Sequence, residues 1–243
     1  MLKTKIKPAA VKLLDLIYPP RCISCGSSIT EHGNICGKCW DDINFISDPQ
    51  CRICGFPFEM ETEATLCAGC IQEEPHFSKA RAVFLYDDAS SKLITSFKYN
   101  DRIENRAPYA RWMARAGAEM LHDADYIIPV PIHFGKLLLR KYNQAGLLAL
   151  GVAKIAGRKV LVNALIRKKY TKKQAGLNRK IRFKNISGAF KVNPKYASIL
   201  KDKKILLIDD VITTGATADE CAKILRKAKV AKVEVLTLAK TLY

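Results

Sequence analysis

Beyond residue 80 the chain sets short apolar runs between stretches whose apolar residues return every three or four positions. Val83, Phe84, Leu85 and Tyr86 stand in series, so Ala80–Tyr86 reads as a strand. In Asp88–Phe97, Ala89, Leu93, Ile94 and Phe97 share one side of a helix. Asn105–Leu121 fits a second helix, with Pro108 in its first turn and Ala110, Met113, Ala114, Gly117 and Leu121 at helical spacing. Tyr126–Val130 reads as a buried strand, Gln144–Ala156 as a helix, and Val160–Val162 as a short strand. Arg167–Lys184 has no apolar period and is expected to be irregular. Ile205–Ile208 is a further buried run, followed by a turn and a helix with Ala218, Cys221, Ala222, Leu225 and Ala228 on one face. Val233–Leu238 closes the chain as a strand. Alternating strands and helices predict an α/β fold, a parallel sheet with helices on both faces.

Before this region the pattern is set by cysteine. Eight of the nine cysteines form four Cys-x-x-Cys pairs: Cys22/Cys25, Cys36/Cys39, Cys51/Cys54 and Cys67/Cys70. Each such turn points two thiolates at one ion, and two turns complete the tetrahedral sulfur shell that suits zinc. Two structural zinc sites are expected, the first pair sharing with the second and the third with the fourth, because each site then closes a short loop. The rival reading, a disulfide framework, needs an oxidising compartment. The basic N-terminus is interrupted by Lys12 and Asp15 where an export signal would be apolar, so a cytoplasmic protein is expected. The longest apolar stretch, around Leu147–Ala153, is far short of the ~20 residues of a membrane span. Composition shifts at Pro75, dividing the chain into residues 1–75, an N-terminal helix and double zinc ribbon, and residues 76–243, the α/β domain.

Charge separates the same two parts. Asp15–Lys79 holds ten acidic and four basic side chains, so the cysteine module reads as a scaffold or a contact surface for a protein partner, not as a nucleic-acid finger. Residues 126–201, by contrast, contain 18 Lys or Arg and no Asp or Glu. A stretch of that kind faces phosphates, whether of a nucleotide-like ligand or of a nucleic-acid backbone.

The densest chemistry lies in Ile205–Thr217, where a buried run meets Asp209-Asp210 and then Thr213-Thr214-Gly215-Ala216-Thr217 before a helix. In open α/β sheets ligands bind beyond the carboxyl ends of strands. Backbone N–H groups at a helix N-terminus can surround a phosphate, and Gly215 permits the tight turn. Two adjacent carboxylates suit the vicinal hydroxyls of a ribose, or a Mg²⁺ bridging them. A 5-phosphorylated sugar fits that arrangement. A Walker B strand is excluded, since no G-x-x-x-x-G-K-[ST] accompanies it.

This strand, Asp-Asp and Thr-Thr-Gly-Ala-Thr series resembles the phosphoribosyl pyrophosphate (PRPP) signature of type I phosphoribosyltransferases. Pro129-Val130-Pro131, Arg140-Lys141-Tyr142-Asn143-Gln144, the run from Arg167 through Gln174, Arg179 and Asn185 to Phe190, and the cysteine pairs narrow the resemblance to the ComF family, competence-associated proteins with an N-terminal zinc ribbon. It spans about Tyr18 to Leu238 and implies a type I phosphoribosyltransferase-like sheet flanked by helices and preceded by a small module of four-cysteine zinc ribbons. By that resemblance Asp209 and Asp210 hold the ribose hydroxyls and Mg²⁺ and carry the catalysis. Thr213, Thr214, Gly215, Ala216 and Thr217 bind the 5-phosphate, and Val130, Pro131, Arg140 and Lys141 face the pyrophosphate. Lys169–Arg182 is then the loop that closes over the site. Many members have Gly where Lys141 stands, and Thr213 replaces the carboxylate that serves purine-salvage enzymes as general base. Two functions follow as expectations: a PRPP- and Mg²⁺-binding protein of DNA uptake with phosphoribosyl transfer as its reaction, or a non-catalytic single-stranded-DNA-binding factor that keeps the fold as a platform.

Overall fold

The computed structural model describes residues 15, 18–60, 63–99, 106–169 and 179–242, excepting the side chains of residues 98, 99, 136, 139, 140, 179, 180 and 182. The two cysteine-rich ribbons come first, each closing on a short helix: α1 (Gly37–Asp41) and α2 (Ala68–Gln72). Strand β1 (Lys79–Leu85) leads into α3 (Asp88–Tyr99), α4 (Arg106–Ala116) and α5 (Ala118–Asp123). Then come β2 (Tyr126–Pro129), α6 (Phe134–Arg140), α7 (Gln144–Ala156), β3 (Lys159–Val160) and β4 (Leu165–Arg167). The chain continues through α8 (Arg179–Ile186), β5 (Phe190–Val192) and α9 (Ala197–Leu200) to β6 (Lys204–Ile212), α10 (Ala216–Lys227) and β7 (Lys232–Lys240).

The main sheet runs β1-β7-β6-β2-β3, with every neighbouring pair parallel. Both faces are covered, which is why its strands read as continuous apolar runs rather than alternating ones. Alternation reappears in the packing. Ile205, Leu207, Val233 and Val235 face one core with α10, and Leu206, Ile208, Leu236 and Leu238 face the other with α3, α4 and α7.

The ribbons are built into both cores. Ile23 and Ile43 of the first join the α3–α4 side; Cys51, Ile53 and Cys70 of the second join the α10 side. Between the ribbons the chain runs along β1, the edge strand. Phe45 forms an antiparallel bridge with Phe84, the Leu85 N–H donates to the Asn44 carbonyl at 2.8 Å, and the Ile46 N–H donates to the Val83 carbonyl at 2.9 Å. The Ala80 N–H reaches the Ile53 carbonyl of the second ribbon at 2.6 Å. The exposed backbone of an edge strand is thus satisfied within the chain. Trp40 packs on Phe45, with ring centroids 4.5 Å apart, and meets Trp112 of α4 edge-on at 6.4 Å, fastening the first ribbon to the helical layer.

Four expectations are corrected. The helix expected over Asn105–Leu121 is two helices, α4 and α5, broken at Gly117, where an added Cβ would lie 2.5 Å from Leu236 Cδ2. The irregular segment expected over Arg167–Lys184 contains the end of β4 and most of α8, while residues 170–178 fall outside the described residues. The short strand expected at Val160–Val162 is Lys159–Val160. Finally, the buried run does not stop at Ile208: β6 continues through Asp209 and Asp210 to Ile212, because β7 extends beside it and pairs Asp209 with Thr237 and Ile212 with Lys240.

Candidate functional site

The carboxyl ends of β6 and β2 converge on one point. Pro129 pairs with Ile208, and the Val130 N–H donates to the Ile208 carbonyl at 2.8 Å, so Val130 and Pro131 lie beside Asp209. Asp209 and Asp210 are half-buried, and the Asp210 N–H donates to Asp209 Oδ1 at 2.9 Å. Five residues on, Gly215 has φ 79° and ψ −9°, the left-handed region, and serves as N-cap of α10. A Cβ added there would meet nothing within 4 Å, so the space in front of the turn is open. The Asp219 N–H closes the first helical turn on the Gly215 carbonyl at 2.8 Å. Beside it the Thr214 hydroxyl is buried with no hydrogen-bond partner. An open-faced turn with α10 starting behind it, fronted by two carboxylates, can take a phosphate and a diol together.

Helix α6 starts at His133, whose Nδ1 accepts from the Gly135 N–H at 3.1 Å, and ends at Lys141 in the left-handed region with φ 63°. Arg140 closes that helix by its backbone; its side chain lies outside the described residues. Asn143 ties the next helix back to the site by donating to the Val130 carbonyl at 3.1 Å.

Arg167 belongs to the site, although the motif alone assigns it no role there. The short hairpin of β4 with β5 sets its guanidinium over the Phe190 ring, 5.3 Å from the centroid. Burial pulls the guanidinium pKa down, and the neighbouring Asp209 carboxylate opposes that pull. The sequence signal was Leu165-Ile166, an apolar pair that makes Arg167 the end of a strand rather than the start of a loop. Two residues on, Lys169 Nζ donates to the Ser187 carbonyl at 3.1 Å, fastening the root of the basic segment. Cys221, behind Asp209 on α10, is fully buried, and burial pushes its thiol well above the ordinary range with Asp209 adding to the shift. It packs as a small apolar side chain.

The other eight cysteines gather as two sets: Cys22, Cys25, Cys36 and Cys39, and Cys51, Cys54, Cys67 and Cys70, with the sulfurs of each set within 4.8 Å of one another. Pairing of the turns is therefore sequential, as loop closure favours. A tetrahedral zinc with Zn–S bonds of ~2.3 Å puts sulfurs roughly 3.8 Å apart. Cys25 and Cys36 stand at 3.7 Å and Cys54 and Cys67 at 3.5 Å, which fits. Burial pushes the Cys39 thiol up to about 12 and Cys54 up to about 11, the latter opposed by nearby Lys240. Zinc would supply the cation that holds such side chains as thiolates, and with them the closed ribbons. Among the described residues no helix is long and apolar enough to cross a membrane.

Residues 13–75 match the double zinc ribbon domain, and residues 147–242 match the phosphoribosyl transferase domain. Competence protein F of Haemophilus influenzae is 33% identical over 90% of this chain and 96% of its own. The DNA utilization protein YhgH of Salmonella typhimurium is 28% identical over 93% of this chain and all of its own, and competence protein ComFC of Streptococcus pneumoniae is 24% identical over 90% of this chain and all of its own.

Proposed function

The chain belongs to the competence protein F family, and from that premise we propose that it binds PRPP with Mg²⁺ at the Asp209–Thr217 turn and serves DNA uptake and use. The observation that carries this reading is the conjunction at the end of β6: paired carboxylates, an open left-handed turn at Gly215, and a helix beginning behind it. The N–H groups of Thr213–Thr217 would take the 5-phosphate, Asp209 and Asp210 the ribose hydroxyls, and Val130 and Pro131 the pyrophosphate with Arg140 and Lys141. Carboxylate oxygens are the hard donors that Mg²⁺ prefers, and the ion would offset pyrophosphate charge. Arg167 would balance Asp209 while that carboxylate engages the ribose.

Transfer of the phosphoribosyl group, with pyrophosphate leaving, follows if an acceptor reaches the anomeric carbon. Thr213 supplies no carboxylate base, so transfer needs either a base from outside this turn or an acceptor whose lone pair is already free to attack. Positioning and charge neutralisation then lower the barrier. The basic segment from Lys169 to Arg182 would exclude water from the site.

PRPP with Mg²⁺ at a hundred times its dissociation constant stabilises the folded chain by ~2.7 kcal/mol, which for a chain of this size raises the melting temperature by roughly 5–10 °C. Asp209→Asn with Asp210→Asn abolishes the rise. Absence of any shift in the native chain at millimolar PRPP overturns the assignment.

The acid-free stretch of residues 126–201 favours a second role at the same fold, binding of single-stranded DNA. Binding then weakens steeply with salt, survives both Asp substitutions, and declines when Lys168 and Lys169 are changed to Gln. DNA affinity indifferent to salt would remove this reading.

A further inference from the structure

The two cysteine sets are held differently. All four cysteines of the second set take part in the core on the α10 side: Cys51 and Cys70 are buried in it, and Cys54 and Cys67 pack against it. No cysteine of the first set belongs to either core. Cys22 is fully buried and Cys36 half-buried, but Cys25 is exposed, whereas the other eight cysteines are buried or half-buried. The surroundings of Cys25 are polar. Its sulfur meets Ser27 Oγ at 3.1 Å, and the Arg21 guanidinium donates to the Gly26 carbonyl at 3.1 Å, placing a cation at the turn that carries Cys25. Cys25 and Cys36 come from different turns, and their sulfurs stand 3.7 Å apart.

Oxidation of a cysteine follows its thiolate character and its access to solvent. Zinc would keep both sets as thiolates, so access and freedom to move separate them. Cys54, Cys67 and Cys70 line a cleft of about 370 Å³ beside α10, so a small oxidant reaches the second set as well. What differs is the consequence of moving a sulfur. A shift of Cys25 displaces water, whereas a shift of Cys67 or Cys70 disturbs a close-packed core.

We propose that Cys25 is an oxidation site, that a hydroperoxide is its substrate, and that Cys36 resolves it as a disulfide, opening the first ribbon while the second stays closed. The proposal is independent of the PRPP reading. The Cys25 thiolate attacks one peroxide oxygen; the O–O bond breaks, a sulfenic acid forms, and hydroxide leaves. The Cys36 thiolate then attacks that sulfur, the S–S bond forms as the S–O bond breaks, and a second hydroxide leaves. The two sulfurs together lose two electrons and the peroxide gains them. At the ~2.05 Å of a disulfide neither sulfur is a thiolate ligand, so the first set retains two of its four donors and loses its zinc. A dithiol reverses the step by exchange.

The structural effect is confined to one end of β1. The segment after the first ribbon holds Val83 and Leu85 through Ile46 and Asn44, while the second ribbon holds Ala80 through Ile53. Opening the first ribbon therefore loosens the Leu85 end and spares the Ala80 end.

The test treats the zinc-loaded full chain with excess hydrogen peroxide. A chromogenic chelator follows zinc release, and alkylation, proteolysis and mass spectrometry assign the oxidised cysteines. One zinc of the two leaves at least tenfold faster than the other, together with a Cys25–Cys36 disulfide, and a dithiol with added zinc restores the starting state. In the same sample the Leu85 amide loses hydrogen-exchange protection and the Ala80 amide keeps it. Cys36→Ser removes the resolving thiol, and dimedone then traps the sulfenic acid on Cys25; circular dichroism and the second-ribbon zinc establish that this variant is folded. Loss of both zincs at one rate, a first disulfide between Cys54 and Cys67, or retention of both zincs in millimolar peroxide overturns the proposal on the native chain alone. Absence of the Cys25 adduct in the variant removes Cys25 as the attacked thiol.

Discussion

Lys141 holds φ 63° and ψ −22° at the end of α6, a conformation that costs an L-residue roughly 1–2 kcal/mol and a glycine almost nothing. The ComF resemblance already marked this position, where many members have Gly, but only the backbone angle explains the preference. Lys141→Gly is accordingly expected to stabilise the chain by up to about 1 kcal/mol in urea denaturation, since relief of strain exceeds the extra unfolded-state entropy of Gly. On the proposed PRPP reading, the same change should also weaken PRPP binding, because it removes the charge assigned there to the pyrophosphate. If stability falls instead, the left-handed cap is not strained. At this scale the sequence was most readable where chemistry is local. Asp209, Asp210 and Gly215 announce themselves as a contiguous motif. Arg167 does not, because it lies 42 positions before Asp209 and the pairing of β4 with β5 delivers it there.

The start of α3 shows how an element can tie separate parts of the chain. The Ser90 N–H donates to Asp87 Oδ1 and the Asp87 N–H to Ser90 Oγ, both at 2.9 Å, a reciprocal cap. Asn44, in the strand-like segment between the ribbons, donates to Asp87 Oδ2 at 2.8 Å. Burial pushes the Asp87 carboxyl up, but the Ser90 N–H and the Asn44 amide outweigh it, and the net direction is down. A depressed carboxylate contributes stability above its unfolded value of ~3.9, and that contribution is lost as pH falls through the lower folded value. Asp87→Ala should therefore cost about 1 kcal/mol at pH 7, and its difference from the native chain should shrink below about pH 4. A gap that persists undiminished into acid would refute the assignment. Periodicity found α3, α7 and α10 because their apolar stripes are long enough to declare a helical period. It missed the β4–β5 hairpin, whose three-residue strands carry no period of their own, and it ran α4 into α5 because their apolar positions keep one spacing across Gly117, the residue whose missing Cβ leaves room for Leu236.

At the scale of the whole molecule, the question is whether the acidic ribbon module is an appendage or part of the sheet. Composition and charge shift at Pro75, and on sequence alone that reads as a boundary between units. Hydrogen bonding crosses it. The Ala80 N–H donates to the Ile53 carbonyl of the second ribbon, and the Leu85 N–H to the Asn44 carbonyl beyond the first. Both ribbons also contribute to the cores on the two sides of the sheet. Closed ribbons would therefore hold the β1 edge in place, and removing zinc should be felt in β1 before the sheet centre. Hydrogen exchange on the chain treated with a strong chelator should show the Ala80 and Leu85 amides losing protection by tenfold or more. Those of Leu206 and Leu207, in the interior strand β6, should hold theirs. A ribbon-specific lesion separates the contributions. Cys67→Ser opens the second set and should expose Ala80 more than Leu85, while Cys36→Ser opens the first and should do the reverse. Were the ribbons a detached module, neither amide would respond to chelation, and the edge strand would owe its order to β7 alone.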